Sequence, residues 1–346
     1  MSNPAPVLAT LPLAPHGGPD GAAPPTLDFS VNSNPFGPPP DLMARLRDVD
    51  LASYPDPTYR EARAAAAAFH GVSADNIVLG GAADIIYRLA ACYLDGSRRV
   101  VIAAPTFGEY ARASLLHRAS VHYCPVYGKD RDPDTDAPLR AVRDSAPTLV
   151  WLCQPNNPTG HAWRSDALFQ IAQGCEAAGA LLVIDAAYLE LSGAHPGLPE
   201  SAVQLVPPTK TFALAGLRAG YAVAPPHVAE VLRRSAPPWP VSNPAQAAVS
   251  WCRSPAGAAF VVQTVPGLLE LRRALQRDIS AHGLDVWESA SCFFLLESSD
   301  PALAREARAA GFRLRDTGDL GLPGCVRIAA QTRPANEALL ARLRGR

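Results

Sequence analysis

The sequence predicts an α/β protein with a mostly parallel central sheet, helices on both faces of that sheet, and a smaller α+β domain. Two observations predict the sheet. Short apolar segments, such as 148–153 and 180–184, have the length and composition of strands buried on both faces. Helix-like segments alternate with these strands, as they do where crossovers join parallel strands. A third observation predicts the smaller domain, because this alternation ends after Pro240.

The elements follow in order along the chain. The first 26 residues are rich in Pro, Ala and Gly, which predicts an arm with little regular structure. The α/β part then has predicted helices at 62–69, 82–93, 108–116 and 166–178, and predicted strands at 77–79, 99–104, 148–153, 180–184 and 219–224. The last part has one or two long helices over 244–282, helices at 301–310 and 336–344, and strands at 293–297, near 313 and at 325–329.

These changes of pattern divide the chain into three parts. Residues 1–50 are predicted to form the N-terminal arm and part of a small domain. Residues 51–240 form a large domain, and residues 241–346 form connecting helices and the C-terminal small domain.

Composition excludes several classes of function. A formal net charge of -1 gives no overall attraction to nucleic acid or to an anionic membrane. The seven cysteines are scattered without a Cys-x-x-Cys pair, which argues against a disulfide framework or a structural zinc site. The N-terminus lacks the pattern of a signal peptide, and no apolar stretch is long enough to span a bilayer. We therefore expect a cytoplasmic protein with no metal and no nucleic-acid or membrane partner.

Polar residues follow three of the predicted strands. They are Gly81, the pair Asn156 and Asn157, and Asp185. Ligands of such sheets bind beyond the carboxyl ends of the strands, so these residues are candidates for a binding site. Each also has an ordinary structural interpretation: a glycine turn, an Asn-Pro-Gly turn, and a carboxylate that caps the next turn. A functional Asp185 would pair with a buried cation, and Tyr188 lies close enough in sequence to contact the same ligand.

Lysine is nearly absent, since 29 of the 31 basic residues are arginine. The exceptions are Lys129, in a polar turn-like run, and Lys210, in an apolar stretch beside Thr209 and eight residues before Arg218. This scarcity is typical of a compositional bias, yet it leaves two candidates for amine chemistry. An amine, a hydroxyl and a guanidinium in one loop could hold a phosphorylated aldehyde. The alternative is two solvated charges flanking an apolar turn, and Lys129 is expected to be an ordinary surface residue.

Taken together, these motifs resemble fold-type I pyridoxal-phosphate enzymes of the aspartate-aminotransferase superfamily. The chain looks most like their histidinol-phosphate aminotransferase branch. The matching motifs are Asn32-Ser33-Asn34-Pro35-Phe36-Gly37, Tyr54-Pro55-Asp56, Asn156-Asn157-Pro158-Thr159-Gly160 and the stretch from Lys210 to Arg218. The resemblance covers nearly the whole chain from His16 onwards, and it implies pyridoxal 5'-phosphate as the cofactor, bound in the large domain.

The resemblance implies a role for each matching residue. Lys210 would bind the cofactor covalently, Asp185 would pair with its pyridine nitrogen, and Tyr110 would stack on its ring, so these three are the expected catalytic residues. Asn157 and Tyr188 would contact its phenolic oxygen. Ala82, Ala83, Thr209 and Arg218 would bind its phosphate. Tyr54 would reach that phosphate from a second subunit, which implies a homodimer.

Within this superfamily, three stretches look more like threonine-phosphate decarboxylase of cobalamin synthesis. They are 16–18 with 27–35, 238–242, and 314–316 with 326–329. This resemblance implies that the phosphate and carboxylate of a substrate are held by His16, Gly17, Asn32, Asn157, Arg315 and Arg327. Because 29 arginines place some in any segment, Arg315 and Arg327 could also be ordinary surface residues.

The expected reaction is therefore decarboxylation of O-phospho-L-threonine to aminopropanol phosphate. The alternative is transamination of histidinol phosphate with 2-oxoglutarate, and a more remote one is a non-catalytic, cofactor-binding regulator. The chain departs from the family pattern at Pro207, at Ala186 and at Ala82-Ala83, where polar side chains are usual, so cofactor binding could be weaker than in other members. The residues required for the chemistry are all present.

Overall fold

A seven-stranded sheet forms the centre of the computed structural model, which describes residues 11, 16–127, 133–193 and 196–344. Its strands are β2 (Ile77–Leu79), β3 (Arg99–Ala104), β4 (Ser120–Pro125), β5 (Leu149–Cys153), β6 (Leu181–Asp185), β7 (Val203–Val206) and β8 (Tyr221–Val223). Their order across the sheet is β2-β8-β7-β6-β5-β3-β4. The five strands from β7 to β4 are parallel to one another, and β8 runs antiparallel to both of its neighbours.

Helices cover both faces of this sheet. They are α1 (Pro40–Arg47), α2 (Arg60–His70), α3 (Ala82–Tyr93), α4 (Glu109–Leu116), α5 (Ala137–Ser145), α6 (Ser165–Ala177), α7 (Pro226–Ser235), α8 (Asn243–Cys252) and α9 (Pro255–Ser280). Successive strand residues point to opposite faces. Thus Val100 and Trp151 pack in a core with α3 and α4, whereas Val101 and Val150 pack in another core with α5 and α6. The predicted α/β architecture is confirmed.

A smaller antiparallel sheet follows α9. It contains β9 (Asp285–Val286), β10 (Phe293–Glu297), β12 (Arg315–Asp316) and β13 (Cys325–Ala329), in the order β12-β13-β10-β9. Helices α10 (Leu303–Ala309) and α11 (Arg333–Arg344) belong to this part of the chain. The strand β1 (Leu27–Asp28) pairs in parallel with β11 (Phe312–Arg313), so the segment after the arm joins residues near the C-terminus.

Several elements were not predicted, and each has a physical reason. The strand β4 lies at the edge of the sheet and exposes His122 and Tyr123, so it lacks the continuous apolar pattern of its neighbours. Helices α1, α5 and α7 carry proline in their first turn, where proline is tolerated but resembles a turn signal in sequence. The segment 244–282 forms two helices, α8 and α9.

The described residues form no helix that is both long and apolar enough to cross a membrane. Lys129 lies outside the described residues.

A buried polar cluster packs α2 and α8 against the central sheet. Arg253, directly after α8, forms an ion pair with Glu190, and its guanidinium lies 4.5 Å from the centroid of the Phe69 ring. His70 Nε2 and the Tyr221 hydroxyl are 2.8 Å apart in a hydrogen bond. Burial, together with the positive charge of Arg253, lowers the pKa of His70 to about 4.

We expect this histidine to make the fold sensitive to acid. The pKa of His70 is lower in the folded chain than in the unfolded chain, so the unfolded chain takes up a proton at a higher pH. The free energy of unfolding therefore falls as the pH drops from about 6.5 towards about 4. In His70→Gln, the loss of unfolding free energy between about pH 7.5 and about pH 4.5 should be smaller than in the wild type by about 2 kcal/mol. Urea unfolding followed by tryptophan fluorescence measures this difference.

The matched control is His122→Gln, at an exposed position of β4. This control should keep the pH dependence of the wild type. An equal pH dependence in His70→Gln and the wild type would contradict the assignment of the acid sensitivity to His70.

Candidate active site

A cavity of about 710 Å³ opens beyond the carboxyl ends of β5 and β6 and beside the N-terminus of α3. It is lined by residues from the arm, from both sheets and from the loop after β7. The predicted site residues that line it are His16, Gly17, Asn32, Ala82, Ala83, Tyr110, Asn157, Asp185, Tyr188, Thr209, Lys210, Arg218, Arg315 and Arg327. The structure therefore brings together every predicted site residue except Tyr54.

Asp185 is the last residue of β6, and its carboxylate is buried at the floor of the cavity. The Tyr110 hydroxyl donates to Oδ2 at 2.8 Å, and the backbone N–H of Ala187 donates to Oδ1 at 3.0 Å. Burial raises the pKa of Asp185, while these two hydrogen bonds and the positive charge of Lys210 oppose that rise. The carboxylate is thus prepared to pair with a cationic group of a ligand.

Lys210 follows β7 and is largely buried at the same end of the sheet. Burial lowers its pKa, and the positive charges of Arg327 and Arg218 lower it further, against the effect of Cys292 and Asp185. A larger fraction of the amine is therefore neutral and nucleophilic than in an exposed lysine.

The motif at 32–37 fixes the backbone of this lysine. The carbonyl of Lys210 accepts hydrogen bonds from the N–H of Asn34 at 2.9 Å and from the Ser33 hydroxyl at 3.3 Å. The Asn34 side chain in turn donates to Thr264 Oγ1 of α9 at 2.9 Å. The position of the amine therefore depends on contacts between distant parts of the chain.

Two aromatic rings stand beside the Asp185 carboxylate. Tyr110 was expected to stack on a ligand ring, but its side chain is fully buried and stacks in parallel on Trp151, with the ring centroids 5.1 Å apart. Its observed hydrogen bond holds Asp185. Phe107 was not predicted, and its partly buried ring also lines the cavity, at 5.6 Å from Tyr110. The observed contacts of Tyr110 are thus with Trp151 and Asp185, and its stacking on a ligand ring stays a prediction.

The N-terminus of α3 is a candidate anion site. Its N-cap residue, Gly81, has no side chain that could cap the helix. The first backbone N–H groups of the helix, at Ala82 and Ala83, have no partner in the helical hydrogen-bonding pattern, and both residues line the cavity. Thr209 is buried beside them, and Arg218 lies exposed at the rim. Pro207 also lines the cavity but has no side-chain donor, as its departure from the family pattern implied.

This anion site requires a close approach of two backbones. The N–H of Gly80 donates to the carbonyl of Gly220 at 3.0 Å, and a Cβ at Gly220 would lie 2.9 Å from the carbonyl oxygen of Gly80. Glycine is therefore needed at 220 to bring the loop of Arg218 against the start of α3.

Arg327 provides a second positive group on the opposite side. It lies on β13 and is buried, and its guanidinium donates to Asn157 Oδ1 and to the carbonyl of Ser30, the latter at 2.5 Å. Burial lowers the pKa of Arg327 to about 10. Both hydrogen-bond acceptors are neutral, and among the described residues no carboxylate forms an ion pair with Arg327. Its charge is thus available to an anion in the cavity.

Arg315 differs from Arg327 in its pairing. Its guanidinium forms a bidentate pair with Asp319, at 2.8 and 2.7 Å, so a ligand anion would share it with that carboxylate.

Next to Arg327, the Tyr188 hydroxyl is buried, and burial raises its pKa. Asn32 is buried beside Tyr188, and among the described residues its amide has no hydrogen-bond partner of normal geometry. That amide faces a cavity where a polar ligand could bond it.

Tyr54 lies away from the cavity. Its side chain is 77% exposed and stacks on Trp239, with the ring centroids 4.2 Å apart. Within one chain it does not line the cavity, and its contact with a second subunit stays a prediction.

The aromatic and charged residues that line the cavity but were not singled out from the sequence for a role are Tyr87, Phe107, Glu109 and Arg112. Phe107 and Glu109 belong to the segment 105–110. In this segment a proline ends a predicted strand and two aromatic residues follow, a pattern that could have indicated a site. The other two lie inside helices and carry no local signal.

The cavity fits a phosphorylated aldehyde cofactor with a basic ring nitrogen. It provides an amine with a lowered pKa, a buried carboxylate, a cradle of free amides for a phosphate and an aromatic ring at its wall. These are the groups that the sequence resemblance implied.

Comparison with known proteins agrees with this geometry. Residues 24–343 match the family described as aminotransferase class I and II. Histidinol-phosphate aminotransferase 2 of Archaeoglobus fulgidus is 29% identical over 333 residues, covering 92% of each chain. Histidinol-phosphate aminotransferase of Halalkalibacterium halodurans is 31% identical over 329 residues, covering 91% of this chain and 87% of the relative.

Solved structures show the same fold. Histidinol-phosphate aminotransferase of Sinorhizobium meliloti, in complex with pyridoxal-5'-phosphate, superposes with a TM-score of 0.89 at 23% identity and covers 100% of this chain and 97% of its own. A mutant aspartate aminotransferase of Thermus thermophilus gives a TM-score of 0.85 at 20% identity, over 100% and 99% of the two chains. The predicted aspartate-aminotransferase-like fold is confirmed.

These relatives contradict the expectation of threonine-phosphate decarboxylase. The similar sequences are named histidinol-phosphate aminotransferase. An L-threonine-O-3-phosphate decarboxylase, of Porphyromonas gingivalis, matches as a structure with a TM-score of 0.78 at 21% identity, over 92% of this chain and 98% of its own. The prediction of a decarboxylase was wrong because its motifs consist of phosphate-binding residues, and substrates of both enzymes carry a phosphate.

Proposed function

Since this chain belongs to the aminotransferase class I and II family, we propose that it transfers the amino group of histidinol phosphate to 2-oxoglutarate. The observation that carries the proposal is the set of relatives at 29–31% identity over about nine-tenths of the chain, all named for that reaction. The geometry supports it, since one cavity holds a reactive amine and a separate group of cations for a substrate phosphate.

The cofactor of this family is pyridoxal 5'-phosphate, which withdraws electrons from the carbon that carries the substrate amine. In this chain, Lys210 would hold it covalently and Asp185 would pair with its ring nitrogen. Ala82, Ala83, Thr209 and Arg218 would bind its phosphate. Asn157 and Tyr188 would contact its phenolic oxygen.

Lys210 has a second role in the proposed reaction. The Nζ of Lys210 would also be a base within the cavity, since its lowered pKa keeps part of the amine neutral. It would take the proton from the amine-bearing carbon of the substrate, hold that proton on Nζ and later donate it. Tyr110 holds Asp185 in place during this transfer.

The phosphate of histidinol phosphate would bind at the far side of the cavity. Arg327 is the main candidate because its hydrogen bonds go to neutral oxygens, and Arg315, His16, Gly17 and Asn32 complete that side. A dicarboxylate such as 2-oxoglutarate is also doubly anionic, so the same guanidiniums could bind it in the second half of the reaction.

We further propose that the protein is a cytoplasmic homodimer. Tyr54 and its stacking partner Trp239 are exposed, as are Leu51 and the loop around them. An exposed aromatic pair on one chain would be buried, and Tyr54 would complete the phosphate site, if a second copy packed there.

Borohydride reduction tests the covalent role of Lys210. In the wild type, reduction in the presence of pyridoxal 5'-phosphate should fix the cofactor on the peptide that contains Lys210, as seen by mass spectrometry. The variant Lys210→Arg should show no such peptide, because arginine does not form the imine. The other lysine provides a matched control: Lys129→Arg should label as the wild type does. Labelling at Lys129 instead would contradict the assignment.

Substrate assays test the proposed reaction. The wild type should convert histidinol phosphate only when 2-oxoglutarate is present, and glutamate should form in equal amount. Arg327→Gln should raise KM for histidinol phosphate by about tenfold or more, because a charge-assisted contact with phosphate is lost, and Arg315→Gln should have a smaller effect. Release of carbon dioxide from O-phospho-L-threonine, without an amino acceptor and without turnover of histidinol phosphate, would contradict the proposal.

A further inference from the structure

The arm segment, residues 16–20, crosses one side of the cavity. On the side of the smaller sheet, the N–H of Gly18 donates to Ser30 Oγ at 2.9 Å, and Asp20 pairs with Arg313 at 2.9 Å. Gly17 packs directly on Ser30, since an added Cβ would lie 2.2 Å from the Ser30 carbonyl oxygen. The same carbonyl accepts a hydrogen bond from Arg327. The arm segment is therefore built onto the proposed phosphate side of the cavity.

On its other side, the arm segment contacts the wall formed by α4. His16 Nε2 lies 3.1 Å from Glu109 Oε1, and the imidazole lies against Phe107, with the ring centroids 5.6 Å apart. Glu109 is the first residue of α4, a helix of the central sheet. Ser30 instead lies beside the small sheet, because its carbonyl accepts the hydrogen bond from Arg327 of β13. The contact of His16 with Glu109 thus joins the arm segment to the central-sheet side of the cavity.

Glu109 is an unusual residue for a cavity wall. It is a carboxylate with 8% of its surface exposed, and burial of such a charge requires partners. One partner is the Tyr87 hydroxyl of α3, which donates to Oε2 at 2.6 Å. Burial and this contact raise the pKa of Tyr87 to about 12, so the tyrosine stays a donor at neutral pH. The second partner is His16.

The negative charge of the Glu109 carboxylate would repel an anionic ligand. Any effect of Glu109 on the binding of a phosphate must therefore be indirect. Arg112, one turn along α4, lines the cavity, and its NH1 is buried without a hydrogen-bond partner among the described residues.

We propose that Glu109 is a positioning residue that latches the arm segment across the cavity through His16, with Tyr87 holding the carboxylate in place. While this contact is formed, the arm segment covers the phosphate of the substrate beside Arg327. Binding of a phosphorylated substrate then depends on Glu109, although Glu109 does not touch it. The identity of that substrate, but not the latch itself, rests on the proposed function.

Hydrogen exchange tests the latch without any activity. In Glu109→Gln and in Tyr87→Phe, the peptide containing residues 16–20 should exchange its amide hydrogens about tenfold faster than in the wild type, because a contact to a charged group is lost. The matched control is Glu176→Gln, an exposed glutamate of α6, which should exchange as the wild type does. Unchanged exchange in both latch variants overturns the proposal.

Kinetics test the consequence for the substrate. Glu109→Gln should raise KM for histidinol phosphate by about tenfold with a change in kcat of about twofold or less, and should leave KM for unphosphorylated histidinol nearly unchanged. Adding Tyr87→Phe to Glu109→Gln should raise KM little further, because both changes release the same latch. The visible absorbance of the bound cofactor should stay that of the wild type.

The outcomes separate the two proposals. Equal increases of KM for histidinol phosphate and histidinol, or additive effects of the two substitutions, overturn the latch. If the wild type fails to turn over histidinol phosphate, the proposed function fails, and the exchange rates alone then decide the latch. Because Tyr87→Phe keeps the carboxylate, it provides a second variant if Glu109→Gln does not fold.

Discussion

The site depends on one buried carboxylate, that of Asp185. It lies at the end of β6, the middle strand of the central sheet, where water cannot solvate it. A charge in this place is stable only with donors, and the Tyr110 hydroxyl and the Ala187 amide supply them. Tyr110 is in turn fixed by its stacking on Trp151 of β5. The apolar core therefore determines where the carboxylate points, and Lys210 meets it at the same sheet edge.

Two candidate anion-binding groups line the cavity around this centre, one at the start of α3 and one on β13. The free amides at the start of α3 suit one phosphate, and Arg327, with uncharged hydrogen-bond partners, suits a second anion. A cofactor phosphate and a substrate phosphate would otherwise compete for the same cations. The proposed latch of His16 on Glu109 would hold the arm segment over the substrate side of the cavity, where this segment already packs against Ser30.

Local sequence predicted most of the sheet and the chemical groups of the site. The strands β5 and β6 are buried on both faces, so every residue in them is apolar until Asp185 ends the run. The strand β4 escaped prediction because it lies at the edge and is half exposed. Motifs for phosphate binding misled the choice of reaction, because a phosphate needs the same guanidiniums whether the amine is transferred or carbon dioxide is lost. The similarity to named relatives corrected that choice.

The sequence by itself determined the α/β class, the two lysines available for amine chemistry, and the carboxylate at a strand end. These follow from periodicity and residue type, which are local properties. The choice of Lys210 over Lys129 rested on the family resemblance. The tertiary structure decided the contacts of two aromatic residues in one short segment: Tyr110 packs on Trp151 and bonds Asp185, whereas Phe107 lies against His16. It also decided that Arg315 pairs with Asp319 while Arg327 does not, and that His16 meets Glu109. The contact of His16 with Glu109, like that of Tyr110 with Trp151, joins residues far apart in the chain, and its geometry arises only when the sheets, helices and arm pack together.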